Sequence, residues 1–174
     1  NSCDETIFLE TKQAKMYIKG EEMNGKCGIM KSGILEENGY GVYGNNSKWI
    51  ITTEKEMIIY GIGEMNEEIT WEEYKDEIIK ITIDESITSI SDKAFEGSSV
   101  KTIFISKTIE RIGEYILRNC KSLTTIEVDE DNHDYSSDEY GVLYKKDLND
   151  ELIELIQYPI GNTRTTYTIN SKTK

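Results

Sequence analysis

Residues 78–128 read IIKITIDESITSISDKAFEGSSVKTIFISKTIERIGEYILRNCKSLTTIEV, and the stretch repeats itself. A first copy runs Ile78-x-x-Ile81-x-Ile83, then Ile87-x-x-Ile90, then Ala94-Phe95. A second runs Val100-x-x-Ile103-x-Ile105, then Ile109-x-x-Ile112, then Ile116-Leu117. A third opens with Leu123-x-x-Ile126-x-Val128. The step is 22 residues from Ile78 to Val100 and 23 from Val100 to Leu123. The Ile-x-Ile part alternates with period two, as a half-buried strand does, and the Ala-Phe or Ile-Leu pair falls in a short turn or 3-10 segment. One such coil cannot bury its isoleucine face alone; stacked coils share a continuous core, which is the logic of a solenoid. Each buried isoleucine then contributes roughly 1.5–3 kcal/mol relative to exposure.

This string resembles the BspA-like leucine-rich repeats of bacterial and protist surface proteins, whose repeat reads as strand, Pro, Val-x-x-Ile-Gly, Ala-Phe, Cys and Leu-x-x-Ile. Ile109-x-x-Ile112-Gly113, Ala94-Phe95 and Cys120-x-x-Leu123-x-x-Ile126 keep that pattern. Asp84 and Ser106 stand where the family often has Pro, Ser91 replaces the Gly, and Ile116-Leu117 replaces Ala-Phe. The first copy lacks one residue near Ser98, where the family Cys would stand. The resemblance implies a β-dominated leucine-rich repeat solenoid with little helix, diverged in these copies.

Downstream, Asn132-x-x-Tyr135-Ser136-Ser137 and Gly141-Val142-Leu143-Tyr144 lead to Leu155-Ile156-Gln157-Tyr158-Pro159. The pattern predicts a hairpin, with a polar turn at 145–150 and a second strand from Leu152 to Tyr158. It looks like an insertion that family members carry between repeats. Tyr167-Thr168-Ile169 is expected to reopen the strand of the next repeat. In the N-terminal half, residues 8–24 (FLETKQAKMYIKGEEMN) parallel residues 49–66 (WIITTEKEMIIYGIGEMN). Each reads as two strands joined by a polar turn and closing on a glycine. The expected organisation is a β-rich cap of two related hairpin units over 1–77 and a solenoid over 78–174, with the hairpin insertion at about 131–166.

Composition narrows function. The net charge of −13 over 174 residues opposes binding to nucleic acid or to an anionic membrane surface, both of which need clustered Lys and Arg. No apolar run approaches the roughly 18 residues of a membrane span. The chain begins with Asn and shows no signal peptide; it reads as a mature or trimmed product, although an arbitrary boundary would look the same. Three cysteines leave one over: Cys3 and Cys27 could pair in an oxidising compartment, or all three thiols stay reduced. Asn45-Asn46-Ser47 is a glycosylation sequon at Asn45 that acts only in a secreted chain.

Signals for chemistry are sparse. His133 is the single histidine and sits in the polar run 129–134, with no second ligand at zinc spacing. An EF-hand register from Asp129 puts Asp134 at position six and Tyr140 at twelve, so the calcium pattern fails. Gly61-Ile62-Gly63 is a fragment of a phosphate-loop motif without its third glycine, and the pairs Glu72-Glu73 and Asp76-Glu77 are expected by chance among 33 acidic residues. No cofactor or metal is expected, and no catalytic residue is assigned; the reading is not an enzyme. Of eleven tyrosines, Tyr135, Tyr140, Tyr144 and Tyr158 fall around the hairpin, as packing over the solenoid requires.

Function is therefore expected from the surface. The family is associated with adhesion to host or matrix proteins, which implies a secreted or cell-surface module binding a protein partner. Strand alternation points Lys80, Thr82, Thr102, Phe104, Thr125 and Glu127 outward on the parallel-strand face, with Phe104 as an exposed aromatic anchor. The alternative is a cytoplasmic scaffold that uses the repeats for assembly. Partner and oligomeric state are left open at this point.

Overall fold

The computed structural model describes residues 41–43, 47–52, 54–65, 71–149, 151–169 and 173. Cys3, Cys27, Asn45 and the first hairpin unit lie outside the described residues. Twelve strands are described: β1 Gly41–Tyr43, β2 Ser47–Ile51, β3 Glu56–Gly61, β4 Gly63–Glu64, β5 Lys80–Ile83, β6 Ile87–Ile90, β7 Thr102–Ile105, β8 Arg111–Ile112, β9 Thr125–Val128, β10 Tyr135–Ser137, β11 Leu143–Lys146 and β12 Leu152–Gln157. The single helical element among the described residues is the 3-10 turn Glu72–Tyr74. The fold is a β-dominated leucine-rich repeat solenoid.

Successive coils build two parallel ladders, and the coil of β9 contributes to the longer one alone among the described residues. The longer sheet has the order β1-β2-β3-β5-β7-β9, and a narrower one runs β4-β6-β8. Within the long sheet β3, β5, β7 and β9 are parallel neighbours, with Lys80 opposite Thr102 and Thr102 opposite Thr125. Those pairs reproduce the steps of 22 and 23 residues. Cys120 stacks on Ser98, with Sγ and Oγ 3.4 Å apart. Ser98 thus occupies the family cysteine position, and the extra residue of the longer step is taken up between Cys120 and Leu123.

The isoleucines of the motif form the core. Ile81, Ile83, Ile103, Ile105 and Ile126 on the long sheet, and Ile87 and Ile90 on the narrow one, are buried in one cluster with Phe95, Leu117 and Leu123. Trp71 covers one end, stacked on Phe95 at 5.9 Å and edge-on to Trp49 at 6.3 Å. The second hairpin unit forms as expected, from β2 and β3. Its β3 is also the first strand of the parallel ladder, and β4 opens the narrow one. Gly61 and Gly63, at φ 129° and 91°, make the corner between them.

Coils are held in register by polar contacts at equivalent positions. Where the family often has Pro, Ser106 Oγ donates to the Asp84 carbonyl at 3.1 Å, and Thr108 Oγ1 donates to the Ile87 carbonyl at 2.7 Å. Lys107 pairs with Glu85 and Arg118 with Glu96, each across 22 residues. Gly113 has no room for a side chain: a Cβ would lie 2.4 Å from Asp92 Oδ1 and 2.5 Å from the Asp92 nitrogen.

The insertion differs from the expected hairpin. It is a three-stranded antiparallel sheet, β10-β11-β12, because Tyr135–Ser137 pairs with Leu143–Lys145. Residues 167–169 form no strand. Instead Tyr167 Oη donates to Asp138 Oδ2 at 2.5 Å and contacts the Tyr144 hydroxyl, and its ring packs edge-on to Tyr140 and Tyr158. The tyrosines near the insertion thus gather around Tyr167, except Tyr135, which joins the solenoid core.

Candidate functional site

The outward side of the long sheet carries the six residues expected there, and the register sorts them into two rows. Lys80, Thr102 and Thr125 lie side by side, preceded by Glu56; Thr82, Phe104 and Glu127 form the next row, preceded by Ile58. They are therefore brought together, but their exposure is uneven. Lys80 and Glu127 are exposed, while Thr102, Phe104 and Thr125 are half-buried.

Two expectations need correction. Thr82 is only 2% exposed: it is flanked by Ile58 and Phe104 in the ladder, and its hydroxyl donates to Glu56 Oε1 at 2.5 Å. It belongs to an internal polar cluster and is not an exposed position. Phe104, expected as an exposed aromatic, is half-buried between Thr82 and Glu127 in the ladder. The accessible part of the face is thus Lys80, Thr102, Thr125, Glu127 and the remaining edge of Phe104.

Glu56 was not singled out from the sequence. Its carboxylate is buried and is compensated by the Thr82 hydroxyl and by Lys80 Nζ at 2.9 Å; an isolated buried carboxylate would be costly. A lone Glu at the start of a strand carries no signal for this, since only the parallel pairing of β3 with β5 brings Lys80 and Thr82 to it.

Asn132 is the second unrecognised residue. It is 1% exposed, and its Nδ2 donates to the Ser106 and Ile109 carbonyls at 2.9 and 3.0 Å. Its Oδ1 accepts from the Asp134 and Tyr135 amides at 2.9 and 2.8 Å. The amide thereby stitches the start of the insertion to the preceding coil. Next to it, His133 is exposed in the turn, beside Asp134, Lys146 and Asp147. Glu72 pairs with Lys75 in the 3-10 turn.

Burial shifts several groups. It pushes the Cys120 thiol up, and the thiol donates to the Phe95 carbonyl at 3.1 Å. It pushes the Tyr135 phenol up, whose oxygen accepts the Ile112 amide at 3.0 Å. Tyr167 is raised by burial and by its bond to Asp138. All three stay protonated at neutral pH, which suits packing and not nucleophilic chemistry.

With the coil geometry in place, comparison with known proteins bears on the repeat region. The model described as BspA type Leucine rich repeat region (6 copies) matches residues 72–149. Residues 72–149 form a BspA-type leucine-rich repeat region. Among solved structures, a leucine rich cell surface protein from Faecalibacterium prausnitzii is 26% identical with a TM-score of 0.53, over 64% of this chain and 30% of that one. A leucine-rich repeat protein from Eubacterium ventriosum is 22% identical with a TM-score of 0.40, over 75% of this chain and 53% of that one. The pneumococcal vaccine antigen PcpA is 15% identical with a TM-score of 0.36, over 76% and 59%. The chain thus spans about half of the Eubacterium protein and under a third of the Faecalibacterium one. No curated protein matches it. The BspA-type region starts at the 3-10 turn and ends in the β11–β12 turn, so it contains both outward rows from β5 to β9. No helix among the described residues is long and apolar enough to cross a membrane.

Proposed function

We propose that this protein is a secreted or cell-surface binding module that recognises a protein partner through the outward side of its parallel sheet, and that it is not an enzyme. The observation that carries this is the pair of cross-strand rows, Lys80-Thr102-Thr125 and Phe104-Glu127, on a solenoid face of the extended kind that suits large partners. The likeness to a Faecalibacterium cell surface protein supports the location. On this reading residues 1–77 act as the cap and 78–174 as the solenoid that carries the face. Phe104 contributes the apolar anchor through its exposed edge, and Lys80 and Glu127 supply charge at the rim.

Intact source cells treated with a membrane-impermeant label test the location, and host and matrix proteins are then screened for binding. Labelling of intact cells and loss of partner binding in Phe104→Ala are expected. Labelling only after lysis would favour the intracellular scaffold instead, and partner binding untouched by Phe104→Ala and Thr125→Lys together would discard this face.

A further inference from the structure

Two arginines of this chain show how it holds a guanidinium. Arg118 donates from Nε to Glu96 Oε1 at 2.7 Å, and its Nη2 lies 2.6 Å from the same oxygen. Its guanidinium carbon also stands over the Tyr115 ring, 5.1 Å from the centroid. The carboxylate belongs to one coil and the ring to the next. Arg164 lies over the Tyr140 ring at 3.8 Å. A planar, weakly hydrated cation gains from both kinds of group at once, from the negative face of the ring and from charge-assisted bonds to the carboxylate.

The outward side of the long sheet offers the same two groups, again from neighbouring coils. Phe104 on β7 and Glu127 on β9 are direct partners in the ladder, so their backbones stand about 4.8 Å apart. Thr102 and Thr125, each two residues earlier, are partners as well and share that side of the sheet. The four side chains thus form a square. Glu127 is exposed and makes no ion pair among the described residues, and neither threonine hydroxyl has a hydrogen-bond partner among them. The one cation of the two outward rows, Lys80, is held 2.9 Å from the buried Glu56 carboxylate. It sits two strands away from Glu127. Beyond β9 the charge turns strongly negative. Residues 129–154 hold ten acidic and two basic side chains, against eleven and eight in residues 72–128. That acidic segment is docked on β9, where the Ile126 amide donates to the Gly141 carbonyl at 3.1 Å, and its field favours a cation at the square.

We propose that Phe104 and Glu127, with the hydroxyls of Thr102 and Thr125, form an arginine-binding site. The assignment rests on the binding face proposed above and names what that face takes, an arginine side chain displayed by the protein partner. The guanidinium lies against the accessible part of the Phe104 ring and forks onto the Glu127 carboxylate, while a remaining N–H donates to a threonine oxygen. Lysine fits less well, because an ammonium is a strongly hydrated point charge with no plane to stack and no fork to offer. An acidic group would be repelled by Glu127 and by the insertion.

The probe is the acetylated and amidated tripeptide Ala-Arg-Ala, with Ala-Lys-Ala and Ala-citrulline-Ala as controls; citrulline keeps the shape of arginine without its charge. Each is titrated into the full chain and followed by NMR at the Phe104 ring and the Glu127 amide. The arginine peptide should shift both saturably, with a Kd on the order of 1–10 mM for a single side chain. The lysine peptide should bind at least about threefold more weakly, and the citrulline peptide should shift neither. Glu127→Gln should weaken arginine binding at least about threefold and Phe104→Leu about two- to fivefold. The proposal is overturned if about 50 mM arginine peptide moves neither residue, if either control binds as tightly, or if Glu127→Gln leaves the affinity unchanged. The peptide controls use the unaltered chain, so they decide the matter even where a variant folds poorly. Failure here is distinct from failure of the binding face. No arginine binding, with partner binding lost in Phe104→Ala, removes this site and keeps the face. Arginine binding, with the partner untouched by Phe104→Ala and Thr125→Lys together, keeps the site and removes the face.

Discussion

Replacing Asn132 by Ala should detach the insertion from the solenoid at a definite cost. The substitution removes four hydrogen bonds, two donated by Nδ2 to Ser106 and Ile109 and two accepted by Oδ1 from Asp134 and Tyr135. It leaves the Ile109 carbonyl and the Asp134 and Tyr135 amides without that partner at a site only 1% exposed, while the Ser106 carbonyl keeps the Ile109 amide at 3.3 Å. Each buried group left unsatisfied costs about 1–3 kcal/mol, but water can enter the space vacated by the amide, so the sum is nearer its lower bound, about 3–4 kcal/mol. With a urea m-value of about 1–3 kcal/mol/M, the unfolding midpoint should fall by at least about 1 M at unchanged m. Asn132→Asp sharpens the test. It keeps the acceptor for Asp134 and Tyr135 but turns an oxygen toward the Ser106 and Ile109 carbonyls, so it should be no better than Ala. A loss below about 1 kcal/mol in both variants would refute the assignment of Asn132 as the anchor.

Other consequences follow from the coil geometry. Gly113→Ala places a Cβ against the Asp92 backbone and should lower stability by about 1–3 kcal/mol in thermal melts, as overpacking does; an unchanged Tm would mean the coils are not stacked this closely. Lys93 is held at φ 56°, so Lys93→Gly should be neutral or stabilising by up to about 1 kcal/mol and Lys93→Val clearly destabilising; the reverse order in urea titrations would refute the left-handed corner. Stability should also fall at alkaline pH. The folded-state values of Cys120, Tyr135 and Tyr167 are all raised. Their contribution is therefore complete below the unfolded values, 9.0 for the thiol and 10.0 for the phenols, and is lost as pH climbs through the folded ones. The urea midpoint should hold up to about pH 8–9 and decline above; Tyr135→Phe should flatten that decline, and an unaltered slope would discard the tyrosine as a contributor.

Much of the fold was legible because the stacking period is written as identity of side chains at fixed offsets. Ile81 and Ile103, Ile87 and Ile109, or Phe95 and Leu117 must be apolar wherever a coil repeats, so sequence alone determined the solenoid, the second hairpin unit and the outward alternation of the β5–β9 residues. What it could not determine was what each position meets one coil away. Thr82 reads as outward, and it is; that it is buried depends on Ile58, Phe104 and Glu56, which only the pairing of β3, β5 and β7 assembles. Tyr135–Ser137 has no hairpin signature of its own and becomes a strand by pairing with β11. Tyr167-Thr168-Ile169 has the pattern of a strand, but the hydroxyl of its first residue donates to Asp138 and contacts Tyr144, which holds it elsewhere.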